Sequence, residues 1–144
     1  MSENKAAPKS SGEMTGQEMF DKGMAIRRKV LGDAYVDKAL AKSGPFNEPL
    51  QELVTTYCWG WNWGREGLPL RDRSLINIAM IAVLNRSHEL KIHIRGALNN
   101  GLSREEIREV LLQVGIYAGI PAAVDSFRLA NEAFAEIDAE GNEA

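Results

Sequence analysis

Apolar residues recur at helical spacing along almost the whole chain. Phe20, Met24 and Leu31 share one face of a first predicted helix, which ends at Gly32. A second predicted helix begins at Asp33. A third carries an apolar stripe made of Leu50, Leu53, Val54, Tyr57 and Cys58. No segment shows the sustained two-residue alternation of a strand, so the pattern predicts an all-α fold.

Four further helical patterns follow in the second half of the chain, at about residues 71–84, 88–99, 104–118 and 122–137. The first of these is apolar nearly all round after Ser74, which predicts a buried central helix. Ser87 is predicted to cap the next helix, and Ser103 with Glu106 has the spacing of a capping box. Together these patterns predict a compact single-domain bundle of about six to seven helices.

Residues 59–67 interrupt this regularity with the sequence WGWNWGREG. Because glycine is a poor helix former and Pro69 follows, we predict a helix end and then an ordered loop with aromatic walls. With Arg65, Arg71 and Arg73, the tryptophans could line a pocket for a planar anion. Alternatively, the tryptophans pack the loop onto the core or another subunit, and the arginines pair with surface carboxylates.

The composition fits one ordinary globular domain. Of 144 residues, 44% are hydrophobic and 26% are charged. The net charge of −3 argues against binding to nucleic acid or an anionic membrane surface, since both require a basic face. The longest mostly apolar run, residues 75–84, falls well short of the roughly 20 residues that a membrane span needs. We therefore predict a cytoplasmic protein without a membrane segment or a nucleic-acid partner.

Both ends of the chain are predicted to lie outside the fold. Residues 1–17 are small and polar and lack the apolar core of a signal peptide, so we predict a disordered tail. The predicted helical domain covers residues 18–138, and the acidic residues 139–144 are expected to fray.

Cys58 is the one cysteine in the sequence. A single thiol excludes an intramolecular disulfide and every mechanism that needs a CxxC pair. His88 and His93 do not have the i, i+4 spacing of a helical zinc motif, so no metal site is predicted.

Glu89 and His93 form the principal candidate site. They lie four residues apart on the predicted helix 88–99 and so share one face. His93 is about 40° around the helix from Ala97, at the edge of the apolar face, and Gly96 is expected to leave space beside it. A carboxylate at this spacing favours the imidazolium form of histidine, which suits a general acid. Alternatively, the two residues form an ordinary surface pair.

Several blocks of the sequence resemble, in the same order, the 4-carboxymuconolactone decarboxylase family. The blocks are RRKVLGDAYVDKAL, WGWNWGREGL, RDRSL and the segment from HELKIHIRG to FRLA. An ELxxHxR motif falls on Glu89, Leu90, His93 and Arg95. A WGxxWxRxGL motif falls on Trp59, Gly60, Trp63, Arg65, Gly67 and Leu68, and RSL falls on Arg73, Ser74 and Leu75. Trp61, Asn62 and Glu66 differ from the residues usual in the family, which leaves the exact substrate open.

The resemblance implies an alkylhydroperoxidase-like all-α fold that assembles as a homo-oligomer, typically a hexamer. It implies a carboxy-lyase of protocatechuate catabolism, in the β-ketoadipate pathway, that releases CO2 from a carboxylated lactone and leaves an enol-lactone. Because such a substrate delocalises the charge left by CO2, no cofactor is expected. The implied roles are proton donor for His93, orientation of that ring for Glu89, anion contacts for Arg73 and Arg65, and a pocket wall for Trp63.

Arg95 belongs to the same motif but points roughly opposite His93 on its helix, so we expect it to serve packing or a subunit contact. Three other functions remain open: decarboxylation of another lactone acid, ligand binding by a non-catalytic oligomer, and a peroxidase-like oxidation. Thiol peroxidases of the same superfamily use CxxCxxxH, whereas this chain has Arg86 and Glu89 in place of the two cysteines.

Overall fold

The structure is a computed structural model that describes Ala7, residues 9–10 and residues 12–142. All regular secondary structure within these residues is helical. The elements are α1 (Gly16–Leu31), α2 (Asp33–Ala41), α3 (Glu48–Leu53), a π-helix (Val54–Asn62), α4 (Leu70–Val83), α5 (Ser87–Asn99), α6 (Arg104–Ala118) and α7 (Ile120–Asn142). The predicted all-α fold is confirmed. None of the described helices is long and apolar enough to cross a membrane.

The first and last helices extend past the predicted domain boundaries. α1 begins at Gly16, inside the predicted N-terminal tail, and α7 continues to Asn142, beyond the predicted boundary at residue 138. The predictions for residues 1–6, 8, 11, 143 and 144 fall outside the described residues.

The chain divides by its internal packing into two units. Among the described residues, the N-terminal unit comprises those up to 28 and residues 34–67, and it contains most of α1 and of α2 together with α3 and the π-helix. The C-terminal unit comprises residues 29–33 and residues 68–142, and it contains α4 to α7.

An apolar core lies among the four helices of the C-terminal unit. Its buried members are Ile78, Ala82, Leu90, Ile94, Ala97, Leu102, Ile107, Leu111, Val114, Leu129, Ala130 and Ala133. Leu90, Ile94 and Ala97 are the contribution of α5, as its apolar stripe predicted. Because this stripe faces the core, it fixes the direction in which every other side chain of α5 points.

The ends of α5 and α6 show which local signals were correct. Ser103 Oγ accepts a hydrogen bond from the Glu106 backbone N–H at 3.1 Å, and the Glu106 carboxylate accepts one from the Ser103 N–H at 2.9 Å. The predicted capping box is therefore confirmed. Gly101, with a φ of 92°, follows α5 in the left-handed conformation that glycine adopts at helix ends. Ser87 is the first residue of α5 rather than its cap, so that prediction is wrong.

α4 is only half-covered by the rest of its unit. Ser74, Ile78 and Ala82 are buried at successive turns. The opposite side exposes Ile76, Met80, Val83 and Leu84, which are 44–60% accessible. The prediction of an entirely buried helix is thus wrong within this chain, because α5, α6 and α7 pack against one side of α4 only.

The π-helix overturns the predicted pattern in the N-terminal unit. Leu50, Leu53, Tyr57 and Cys58 of the predicted apolar stripe are exposed. The buried residues are instead Thr55, Thr56, Trp59, Gly60 and Trp63. A π-helix pairs each N–H with the carbonyl five residues earlier, so it changes which residues share a face. The segment up to Asn62 is therefore helical, and the predicted loop begins only after it.

Close backbone contact explains why glycines occur in this unlikely helical sequence. A Cβ atom on Gly60 would lie 2.2 Å from the Met19 carbonyl oxygen, and one on Gly23 would lie 1.9 Å from the Thr55 carbonyl oxygen. No side chain fits at such distances, so α1 and the π-helix meet backbone to backbone. Gly60, one of the glycines that suggested a loop, is thus a residue that allows this helix pair to form.

Candidate active site

His93 is a buried residue of α5, with 8% of its surface exposed. Its neighbours Leu90, Ile94 and Ala97 face the core, so the ring lies at the margin of the packed side, as the helical geometry predicted. Glu89, one turn earlier, is exposed. The two predicted residues are therefore a buried imidazole and a solvated carboxylate.

Asn77 of α4 is a neighbour of His93 that the spacing of residues along the chain did not reveal. Its Nδ2 lies 3.4 Å from His93 Nδ1, a long hydrogen bond between α4 and α5. A carboxamide NH2 group donates hydrogen bonds and does not accept them. The contact thus fits a neutral ring that accepts at Nδ1 and carries its proton on Nε2. The one signal in the sequence is that Asn77 interrupts an otherwise apolar run.

Burial and charge act in opposite directions on the pKa of His93. Burial in the protein lowers this pKa from its usual value, and this is the larger effect. The negative charge of Glu89 raises it, in the direction expected from the sequence, but does not offset burial. Before any ligand binds, the protein therefore favours the neutral imidazole.

Residues 30 and 31 occupy the space beside Gly96. A Cβ atom on Gly96 would lie 3.1 Å from Val30 Cγ1 and 3.4 Å from Leu31 Cδ2. Asn99 also donates a hydrogen bond to the Val30 carbonyl oxygen at 2.7 Å. The prediction that Gly96 leaves space for another group is wrong, because the end of α1 packs there.

Arg73 lies on α4, one turn before Asn77, and is partly buried. Residues four apart share a helix face, so Arg73 lies on the side of α4 that carries Asn77. Asn100 donates a hydrogen bond to the buried Ser74 Oγ at 2.9 Å and so ties the start of α4 to the end of α5. Arg71 pairs with Glu106 instead, as the alternative of surface ion pairs predicted.

Trp63 and Arg65 belong to the N-terminal unit. Trp63 is 5% exposed, and its ring centroid lies 4.9 Å from that of Trp59. These contacts match the alternative in which the tryptophans pack the segment onto its own core. The Arg65 guanidinium lies over the exposed Trp61 ring at 5.0 Å, a cation–π contact at the surface.

Arg95 makes a bidentate ion pair with Glu140 of α7, with distances of 2.7 and 2.9 Å. Its position agrees with the expected packing role, since the guanidinium is held between two helices. Among the described residues, no three histidine, cysteine or acidic side chains lie close enough together to hold a metal ion.

The sequence profile of the carboxymuconolactone decarboxylase family matches residues 48–132, more than half of the chain. The chain belongs to the carboxymuconolactone decarboxylase family. The match runs from α3 into α7 and includes both Asn77 and His93.

Three named proteins resemble this chain, two of them over most of its length. The 4-carboxymuconolactone decarboxylase of Acinetobacter baylyi is 35% identical over 124 residues, which cover 86% of this chain and 92% of that protein. The nitrosuccinic acid decarboxylase of Metarhizium robertsii is 41% identical over 110 residues, 76% of this chain and 77% of that protein. A 4-carboxymuconolactone decarboxylase of Pseudomonas putida is 45% identical over 47 residues, which cover 33% of this chain and 98% of that protein. The predicted enzyme class, a carboxy-lyase, is confirmed.

Proposed function

We propose that this protein decarboxylates 4-carboxymuconolactone to an enol-lactone in protocatechuate catabolism, without a cofactor and with His93 as the proton donor. The observation that carries the proposal is a buried histidine at the packed margin of α5, within the part of the chain that matches the family. The named relative from Acinetobacter baylyi supports the substrate.

The substrate supplies its own electron sink. Loss of CO2 breaks the bond between the carboxyl carbon and the ring carbon, and the electron pair moves through the ring alkene into the lactone carbonyl. The dienolate then takes a proton from His93 at the carbon next to that carbonyl, and His93 regains a proton from solvent. The protein has to supply positive charge for the dienolate and a positioned proton.

His93 becomes a proton donor when the substrate binds. The free protein favours the neutral ring because burial lowers the pKa of His93. The substrate carries two carboxylates, and negative charge beside a buried imidazole favours the imidazolium. Glu89 adds to this effect with its own charge. Substrate binding therefore takes up a proton at the ring that later delivers it.

The two named substrates of the relatives share a skeleton. In 4-carboxymuconolactone, one ring carbon bears both a carboxyl group and a carboxymethyl arm, so it is a substituted succinic acid, as nitrosuccinic acid is by name. They differ in the electron sink, which is an unsaturated lactone in one and a nitro group in the other. We propose that Arg73 and Arg65 hold the carboxylates common to both acids, with Trp63 as a pocket wall.

The first experiment compares His93→Ala with His88→Ala. His88 is an exposed residue of the same helix, so its variant is a matched control. Positioned proton transfer contributes about 10²–10⁴-fold. We expect kcat for 4-carboxymuconolactone to fall by about that factor in His93→Ala and to stay unchanged in His88→Ala, measured by enol-lactone formation. An equally fast His93→Ala enzyme would exclude His93 as the donor.

Nitrosuccinic acid is the second candidate substrate, because the relative named for it is 41% identical. Wild-type protein is assayed with both acids, and succinate, which has both carboxylates but no sink, is added as an inhibitor. We expect faster turnover of the lactone and competitive inhibition by succinate. Faster turnover of nitrosuccinic acid would reassign the substrate. A protein that binds the acids but converts none of them would be the non-catalytic binder.

We also propose that the protein assembles as a homohexamer and is located in the cytoplasm. Large apolar side chains are exposed around the turn between α6 and α7: Ile116, Tyr117, Ile120 and Val124, each more than 60% accessible. A surface of this kind is typical of a subunit interface. Light scattering is expected to give the mass of six chains, and an active monomer would contradict the assembly.

A further inference from the structure

We propose that Asn77 is a positioning residue that fixes the tautomer of His93, so that the proton used in the reaction is carried on Nε2. The inference rests on the proposed function, because it assigns a role in the same proton transfer. It begins from the contact between Asn77 Nδ2 on α4 and His93 Nδ1 on α5, two residues that are 16 positions apart in the sequence.

The location of Asn77 is one where an apolar residue would otherwise be expected. Ile78 and Ala82 of α4 and Leu90 and Ile94 of α5 are all buried in the same core. A partly buried carboxamide at such a place is unfavourable unless it forms hydrogen bonds. The imidazole provides that hydrogen-bond partner, and a leucine of similar size would satisfy packing alone.

The chemistry of the amide decides which ring nitrogen is protonated. An NH2 group facing Nδ1 requires a lone pair there, which leaves the proton of the neutral ring on Nε2. A carboxamide turned the other way would present its oxygen to Nδ1 and require a proton there. The neutral ring would then carry no proton on Nε2. The two orientations therefore predict opposite tautomers of the neutral ring, and only the first offers an Nε2–H in the free protein. When the substrate converts the ring to the imidazolium, Nδ1 also carries a proton, so the Asn77 carboxamide turns its oxygen to Nδ1–H and Nε2–H remains the proton that is delivered.

The contact between α4 and α5 is held in place by a second polar pair. Asn100, the residue that follows α5, donates to Ser74 Oγ of α4 at 2.9 Å, and Ser74 is fully buried. This bond limits sliding of the two helices, so Asn77 meets the ring at a fixed position. Asn77 acts on the reaction through His93 and is not itself assigned a contact with substrate.

Nitrogen-15 NMR of the histidine rings in the full chain tests the tautomer without any substrate. Spectra are recorded at a pH where both histidines are neutral, and His88→Gln assigns the signals. We expect the wild-type His93 proton on Nε2. Asn77→Asp offers only acceptor oxygens, so it is expected to move the proton to Nδ1. Asn131→Asp, the same change at an exposed site on α7, should leave the ring unchanged.

A wild-type ring protonated on Nδ1, or an Asn77→Asp spectrum identical to that of the wild type, would overturn the proposal. Both results are obtained whether or not the protein decarboxylates a given acid. A failure of the proposed substrate is therefore distinguished from a failure of the tautomer assignment.

Kinetics then test whether the tautomer affects turnover. We expect Asn77→Leu to lower kcat by about tenfold or more, a part of what positioned proton transfer contributes, and to change KM by less than about twofold. Asn131→Leu is the control and should match the wild type. An unchanged kcat in a folded Asn77→Leu protein would contradict the positioning role.

Discussion

The π-helix of the N-terminal unit and α5 of the C-terminal unit are formed by different physical means. Gly60 lets the π-helix contact the backbone of α1, with no room for a side chain. α5 is placed by an apolar stripe, and its glycine, Gly96, faces movable side-chain atoms of Val30 and Leu31. The comparison teaches that a glycine in a helix has two meanings. A helical glycine cannot be replaced where backbone atoms of another segment occupy the position of a Cβ atom. It can be replaced where only movable side-chain atoms lie near that position.

Gly60→Ala is expected to have the largest effect on stability. The new Cβ would lie 2.2 Å from the Met19 carbonyl oxygen, and backbone atoms cannot move aside locally. We expect a loss of at least about 3 kcal/mol in the free energy of unfolding, at the upper end for overpacking. Urea denaturation measures it. Gly67→Ala is the control, because no heavy atom lies within 4 Å of its Cβ position. Equal stability of the two variants would refute the backbone contact.

The pH dependence of stability is expected to report on the buried His93 ring of α5. Folding lowers the pKa of His93, so below its ordinary value of 6.5 the unfolded chain binds more protons than the folded one. The free energy of unfolding is therefore expected to fall as pH drops through about 6.5, and to level off once the folded ring is protonated.

The control for this pH effect is His93→Gln, which removes the titrating ring and should remove that slope. Carboxylates in ion pairs, such as Asp138 and Glu140, have lowered pKa values. Their contribution to the free energy of unfolding is therefore lost only in more acidic solution. A slope that persists in His93→Gln would show that another group is responsible.

Gly96→Ala is expected to have a much smaller effect than Gly60→Ala. Its Cβ would meet Val30 Cγ1 at 3.1 Å, a tight contact that a shift of a few tenths of an ångström relieves. Alanine also favours the helix over glycine by about 1 kcal/mol. We expect stability within about 1 kcal/mol of the wild type in urea denaturation. A loss as large as that of Gly60→Ala would abolish the distinction between the two glycines.

Arg95→Ala should have the smallest effect, although Arg95 belongs to the family motif. Its ion pair with Glu140 is exposed, so salt screens it. We expect a slight loss of stability that vanishes at high salt and an unchanged kcat. Glu140→Ala should behave alike, and the double variant should add no further loss. A large fall in kcat would place Arg95 in the reaction instead.

Local signals predicted much of the C-terminal unit. The stripe of Leu90, Ile94 and Ala97 and the capping box of Ser103 and Glu106 depend on residues within a few positions of one another, and both are confirmed. The face that carries Glu89 and His93 follows from the same periodicity. The role of that face stays a proposal, since spacing places residues but does not assign chemistry.

Contacts between distant residues accounted for several of the wrong predictions. Leu53 and Tyr57 were expected in the core, but both are exposed, and the π-helix buries Thr55 and Trp59 instead. Gly96 was expected to leave space, but Val30, 66 positions earlier, fills it. Asn77 was not identified at all, because its partner lies on another helix.

The sequence by itself determined the helical class, the Ser103–Glu106 cap of α6, and the family. Each of these depends on residue order within a short stretch of chain or on several such stretches together. Tertiary structure alone decided the π-helix, the contact of Asn77 with His93 and the lowered pKa of that ring. The reason is that desolvation and backbone contact depend on which elements meet in space, and periodicity along one helix contains no information about its neighbours.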